Sequence, residues 1–229
     1  MSVFRRIMRS ALEFQGYYLR HRAVLPYGID YMHDITRLSA QPIRTFIDVG
    51  AYTGQTSTAA LRTFPEARVI AFEPEPNSFS ELRSLISSPR FQAYNCALDA
   101  EDRVAQLMLN DFRSSLILGD KDAPKMTVKC RTLDTFCREQ EITQIDVLKI
   151  DSEGNEIPIL NGARAALSFT TFVFCEFFSL TPSQGTSLFE LNELLTRSGF
   201  QFVTSYTEII EKRPTGFFRV MNGLFAKLQ

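Results

Sequence analysis

The sequence predicts an α/β fold of the doubly wound class, a mostly parallel sheet with helices on both faces. Three observations predict it. Short, near-continuous apolar runs recur at T-F-I-D-V (45–49), R-V-I-A-F (68–72), I-D-V-L-K-I-D (145–151) and T-F-V-F-C-E-F (171–177), the pattern of parallel strands covered on both faces. Stretches of helical periodicity lie between the first runs. The early runs end on a glycine or an acid, at Gly50, Glu73 and Asp151, where a strand meets a turn.

The elements follow in order. Residues 3–20 place Phe4, Ile7, Met8, Ala11, Leu12 and Phe14 near helical spacing, with Arg5, Arg6 and Arg9 between them. A helix packed on its own domain is the reading adopted; contact with an anionic membrane surface is the alternative. After a break near Pro26 and Gly28, residues 45–49 form the first strand and Gly54–Thr63 a helix that stops near Pro65. Residues 68–72 form the second strand, and Asn77–Ser87 a helix with Phe79, Leu82, Leu85 and Ile86 on one side. F-Q-A-Y-N-C-A-L (91–98) is a third strand. Residues 103–110 and 126–132 alternate polar and apolar, as an inserted antiparallel pair does. The runs 145–151 and 171–177 are the next strands. Leu188, Leu191, Leu194 and Leu195 mark a helix ended by Gly199, and 200–204 and 222–228 are the last two strands. Residues 1–40 are read as an N-terminal helical arm or lid, and 41–229 as the main domain.

Composition narrows the function. The 229 residues carry 25 Lys and Arg against 26 Asp and Glu, a net charge of −1, so the excess of cations that phosphate binding needs is missing and nucleic acid is not an expected partner. Residues 1–40 hold six Arg and three acids, leaving the arm mildly basic and the remainder mildly acidic. Cysteines 96, 130, 137 and 175 form no C-x-x-C pair and have no neighbouring histidine, so no zinc site is expected. With no signal-like start and thiols placed as small hydrophobes, a reducing cytoplasm is the expected location.

The chemistry concentrates where strands end. F-I-D-V-G-A-Y-T-G (46–54) runs strand, Gly-x-x-x-Gly, helix. Glycines at 50 and 54 let the backbone approach a ligand, and the helix start favours an anionic group. Neither the spacing G-x-G-x-x-G nor G-K-[ST] is present, so dinucleotide and P-loop readings are disfavoured. The spacing suits a ligand with an amino-acid end: backbone N–H of the turn can meet its carboxylate, and Asp48 can attract its ammonium directly or through a water, so Asp48, Gly50, Ala51, Tyr52 and Gly54 are the cofactor-binding candidates here. Glu73, closing the second strand ahead of Pro74, is placed to accept both hydroxyls of a ribose; the alternative is an acid capping the next helix. Asn95, Cys96 and Ala97, at the end of the third strand, are placed to border a base. An amino-acid end, a ribose and a base together describe S-adenosylmethionine.

With these residues in place, the chain resembles the FkbM-type S-adenosylmethionine-dependent methyltransferases. The matching pieces are F-I-D-V-G-A-Y-T-G-Q-T (46–56), A-F-E-P-E-P (71–76), N-C-A-L-D (95–99), R-T-L-D-T-F (131–136), I-D-V-L-K-I-D-S-E-G-N-E (145–156), V-F-C-E-F (173–177) and N-G-L-F-A (222–226). The resemblance implies a class I methyltransferase fold, a Rossmann-like sheet of seven strands whose last strand is antiparallel. It also implies O-methylation, commonly of a sugar or other hydroxyl on a glycan or glycosylated metabolite.

Both histidines, His21 and His33, precede the sheet, so carboxylates are the candidate general bases. Asp151 ends a strand, Glu153 follows in the loop, and Glu176 interrupts an apolar strand; these three are the catalytic candidates, unranked. Glu156 is read as charge complementing a helix start. His33 reaches the site only if the arm folds over it. Mg²⁺ held by two of the carboxylates is an alternative to a metal-free base. An NAD(P)-dependent oxidoreductase or epimerase, or a non-catalytic cofactor-binding module, are the rival functions. The acceptor pocket is expected from the arm, the loop 111–125 and the stretch 178–187, with Ser114, Ser115 and Gln184.

Overall fold

A computed structural model describes residues 14–15, 25–109, 116, 124–178, 186–213 and 216–227. The basic helix expected over 3–20 lies outside these residues apart from Phe14 and Gln15, as do Ser114, Ser115 and Gln184.

The described elements run α1 (Tyr31–Leu38), β1 (Thr45–Val49), α2 (Gln55–Thr63), β2 (Arg68–Phe72), α3 (Pro76–Leu85), β3 (Phe91–Tyr94), β4 (Ala97–Leu98), β5 (Arg103–Met108) and β6 (Lys125–Arg131). Then follow α4 (Leu133–Glu139), β7 (Ile145–Ile150), α5 (Glu156–Asn161), α6 (Arg164–Ser168), β8 (Thr170–Phe177), α7 (Leu188–Arg197), β9 (Phe200–Arg213) and β10 (Gly216–Lys227). Seven strands form one sheet in the order β3-β2-β1-β7-β8-β10-β9. β3, β2, β1, β7 and β8 pair in parallel, and β10 runs antiparallel to both β8 and β9. The predicted architecture, an antiparallel last strand wedged into a parallel sheet, is the one observed.

Strand alternation divides the core into two layers. Phe46, Val69, Val147, Phe172, Phe174 and Leu224 face Met32 and Ile35 of α1, Ala60 of α2 and Phe64 just after it. Ile47, Ile70, Leu148, Val173 and Phe225 face the opposite way, onto Phe136 of α4, Leu160 of α5, Leu167 of α6 and Leu191 and Leu195 of α7. Both faces are therefore covered, which is why these strands read as unbroken apolar runs.

Three expectations are adjusted. The run 91–98 is two strands: β3 ends at Tyr94, and β4 leaves the main sheet to pair in parallel with β6 in a separate sheet of order β4-β6-β5. Residues Asn95 and Cys96, between them, form the turn that makes this change of sheet. The final strands are longer than the apolar patches at 200–204 and 222–228, because pairing of β9 with β10 continues out to Arg213 and Gly216. Helix α4 occupies a stretch with no helix assigned from sequence, and α1 falls within residues 1–40, read as a helical arm, but beyond the 3–20 helix; α1 carries a strong cap, with the Asp30 side chain accepting from His33 N–H.

Candidate active site

The turn between β1 and α2 is fixed by backbone geometry. Gly50 and Gly54 sit at φ 73° and 95°, and Tyr52 between them at φ 48°. Gly50 and Ala51 N–H both donate to the Phe72 carbonyl, at 3.0 and 3.1 Å. A Cβ on Gly54 would meet Leu82 Cδ1 at 2.6 Å, so this glycine lets α2 start hard against α3.

Glu73 closes β2 and stands across this turn, nearly buried at 7% exposure. Its carboxylate accepts from Tyr52 N–H at 2.8 Å and from Glu75 N–H at 2.9 Å. Those two bonds occupy one site on each oxygen, leaving one more acceptor position on each. Burial raises the Glu73 carboxyl above the usual glutamate range, against the lowering effect of the two backbone bonds. Asn95 holds the chain below, its amide donating to the Glu73 and Pro74 carbonyls at 2.9 and 3.0 Å.

These residues border a cleft of about 900 Å³ at the carboxyl ends of the strands. Gly50, Ala51, Tyr52, Glu73 and Pro74 form one wall, and Asp151 and Glu153 another. Cys96, Ala97 and Leu98 with Leu107 and Leu109 of the small sheet form an apolar end. The Cys96 thiol is pushed up to about 11 by burial, so it lines the wall as a neutral group. The insertion supplies much of this apolar end, a contribution that sequence reading did not assign. Alternation in β5 buries Ala105 and Leu107, and Leu107 is the signal that was available.

Asp48 lies near the end of β1, set back from the surface. It is fully buried beneath the turn, accepting from Ser57 Oγ at 2.7 Å and facing Lys149 Nζ at 3.1 Å. Lys149 was not singled out from sequence. Its ammonium also donates to the Gly50 carbonyl at 3.1 Å and lies 3.5 Å from Asp151. A lysine inside an apolar strand is costly unless paired, and that was the legible clue. Burial alone would lower the Lys149 ammonium, but the Asp48 and Asp151 carboxylates outweigh it and hold it protonated.

The three catalytic candidates converge. One carboxylate oxygen from each of Asp151, Glu153 and Glu176 lies within 4.8 Å of the other two. Asp151 is about a third exposed, at 35%, whereas Glu176 is 4% exposed. Glu153 (φ 55°) and Gly154 (φ 105°) form a left-handed turn. Glu156 holds this turn from below: its Oε1 accepts from Ser152 N–H, Ser152 Oγ and Gly154 N–H, and its Oε2 accepts from Thr186. It is fully buried, and desolvation raises its carboxyl above the usual range. Glu156 therefore shapes the acid loop from within, a larger part than complementing a helix start. Asn155 ties the same loop to the Leu98 carbonyl at 3.1 Å. The L-D-T-F motif serves the frame, with Asp134 accepting from Ala165 and Ala166 N–H at 3.0 and 2.8 Å. His33, on α1, has a buried Nε2 that makes no hydrogen bond among the described residues.

A sheet of this order, with a glycine turn after β1 and an acid after β2 bordering one cleft, is the class I methyltransferase fold. A solved structure from Listeria monocytogenes, assigned to the S-adenosylmethionine-dependent methyltransferases, superposes with a TM-score of 0.51 at 9% identity, over 86% of this chain and 97% of that one. The pattern of the methyltransferase FkbM domain matches residues 48–202, well over half of the chain, and the chain belongs to that family. Among curated relatives, 2-O-methyltransferase NoeI of Sinorhizobium fredii is 25% identical, over 62% of this chain and 67% of its own length. Hexuronic acid methyltransferase AglP of Haloferax volcanii is 27% identical, over 65% of this chain and 62% of its own length. The alignments thus span roughly two thirds of each relative.

Proposed function

We propose that the protein transfers a methyl group from S-adenosylmethionine to a hydroxyl, on a sugar, glycan or glycosylated small molecule, in the cytoplasm. The observation that carries this reading is that Asp151 and Glu153, clustered with Glu176, line the same cleft as the glycine turn and Glu73 at the ends of β1 and β2. Among the described residues, the charged side chains on the cleft wall are Glu73, Glu75, Asp151, Glu153 and Lys149. Four acids against one cation suit a cofactor with a net positive charge and oppose the pyrophosphate of NAD(P).

When bound, S-adenosylmethionine supplies a methyl group on a positively charged sulfur. Glu73 offers its two remaining acceptor positions to the ribose hydroxyls. Cys96, Ala97 and Leu107 give the base a flat apolar seat. With the cofactor bound, the acid cluster would accept the proton of the acceptor hydroxyl as that oxygen bonds to the methyl carbon and the carbon–sulfur bond breaks, leaving S-adenosylhomocysteine, a general-base effect of roughly 10²–10⁴ in rate. Holding the hydroxyl in line supplies more, up to about 7–11 kcal/mol. A sugar acceptor is supported by AglP, a hexuronic acid methyltransferase, and transfer to oxygen by NoeI, a 2-O-methyltransferase.

The experiment is transfer of labelled methyl from S-adenosylmethionine to free and glycosidically linked hexuronic acids and neutral sugars, alongside calorimetry with the cofactor and with NAD(P). Label in a sugar ether supports the reading. Tight cofactor binding without transfer to any acceptor favours a binding module, and NAD(P) binding with no S-adenosylmethionine binding overturns it.

A further inference from the structure

Lys149 is the only cation on the described cleft wall, and its surroundings give it a part beyond stapling strands. Asp48, the acid placed by sequence for an ammonium group, lies below it with no exposure. In register, Asp48 pairs with Lys149 and Lys149 with Phe174, so the three side chains share one face of the sheet. Helix α1 covers that face. Its first residue, Tyr31, stacks on Phe174 with ring centroids 3.8 Å apart. The Tyr31 hydroxyl is buried and makes no hydrogen bond among the described residues. The charges that bear on it are Asp48, Lys149, Asp151 and, more weakly, Asp30. A buried phenol without a partner is a cost that folded proteins seldom leave standing.

We propose that Lys149 receives the carboxylate of the cofactor's amino-acid end at the foot of the 50–54 turn, and that the Tyr31 O–H takes over Asp48 when it does. The proposal rests on the S-adenosylmethionine reading above. Lys149 Nζ already stands 3.1 Å from the Gly50 carbonyl, at the mouth of that turn. Turning toward a ligand carboxylate loosens its contact with Asp48, and a buried carboxylate then needs another donor. Burial and the Asp48 charge raise the Tyr31 phenol far above its ordinary range, so it stays a donor at any working pH. Lys149 is the binding residue here and Tyr31 a positioning residue. Tyr31 precedes the matched family segment 48–202.

The test compares two neutral-sulfur ligands by calorimetry on the full chain: S-adenosylhomocysteine, which has the amino-acid end, and 5′-methylthioadenosine, which lacks it. Lys149→Met is expected to weaken S-adenosylhomocysteine by about tenfold or more and methylthioadenosine by less than about threefold. Tyr31→Phe is expected to weaken only the former, by about threefold. If Lys149→Met fails to fold because Asp48 is left unpaired, the double variant Asp48→Asn, Lys149→Met removes both charges and carries the same expectation. Equal weakening of both ligands, or no change in either, overturns the proposal. If the wild-type protein binds neither ligand, it is the cofactor reading that fails.

Discussion

Gly50 and Asp151 pack backbone against backbone: a Cβ on Gly50 would lie 1.7 Å from the Asp151 carbonyl oxygen. That approach joins the cofactor turn after β1 to the acid loop after β7, and the Asp151 N–H donating to the Val49 carbonyl at 3.1 Å seals it. Gly50→Ala meets this clash and also a φ of 73°. It is expected to cost about 1–3 kcal/mol or more in stability and to abolish cofactor binding. Thermal unfolding and calorimetry check it; a variant with wild-type melting temperature and affinity would contradict the packing.

Glu73→Ala is expected to weaken S-adenosylmethionine by about tenfold or more, since hydrogen bonds to a charged acceptor contribute roughly 1.5–3 kcal/mol each. The raised Glu73 carboxyl adds a pH signature. Lowering the pH protonates it before an ordinary glutamate would be, so wild-type affinity falls starting above the usual value of 4.5. Calorimetry across pH reads both effects, and an affinity indifferent to the variant removes the ribose assignment.

Among Asp151→Asn, Glu153→Gln and Glu176→Gln, the one that removes the base is expected to lower turnover by roughly 10²–10⁴ while leaving cofactor affinity within about threefold. Steady-state kinetics with a competent acceptor identifies it. Three variants with wild-type turnover would place the base outside this cluster. Full activity after EDTA treatment points to a metal-free base, whereas loss of activity restored by Mg²⁺ assigns the cluster to the metal.

Glu156→Gln tests the buried support. A carboxyl raised by burial binds its proton more readily in the folded state, so stability is fullest at low pH and declines as pH climbs from 4.5 through the raised value. Glutamine keeps an oxygen for Ser152 and Gly154 and presents an N–H to Thr186, and it never ionises. The variant is expected to lose less stability than wild type between acid and neutral pH, by denaturant titration. Parallel profiles for the two proteins would show that Glu156 titrates normally.

The sheet was legible because its strands are buried on both faces and therefore read as mostly apolar runs: 45–49, 68–72, 145–150 and 170–177 match within a residue or so. The acids Glu73, Asp151 and Glu176 stand out for the same reason, as exceptions at or near strand ends. The break within 91–98 was not legible, since an apolar run looks alike whether its strand stays in the sheet or leaves it at Asn95. Lys149 was legible as a charge inside an apolar strand, but the groups that it and Tyr31 serve could not be read. Their significance lies in register and in stacking across β1, β7, β8 and α1, residues far apart in the chain. Asp48 was singled out from sequence as a candidate site residue, but its commitment to Ser57 and Lys149 needed the partners' positions.

The most direct test of the account is a crystal structure of the full chain soaked with S-adenosylhomocysteine. The account predicts density across the ends of β1 and β2, ribose hydroxyls within roughly 2.6–3.2 Å of the Glu73 carboxylate, and the base between Ala97 and Leu107. A bound ligand that leaves Glu73 untouched, or a cleft that stays closed to it at saturating concentration, would contradict it.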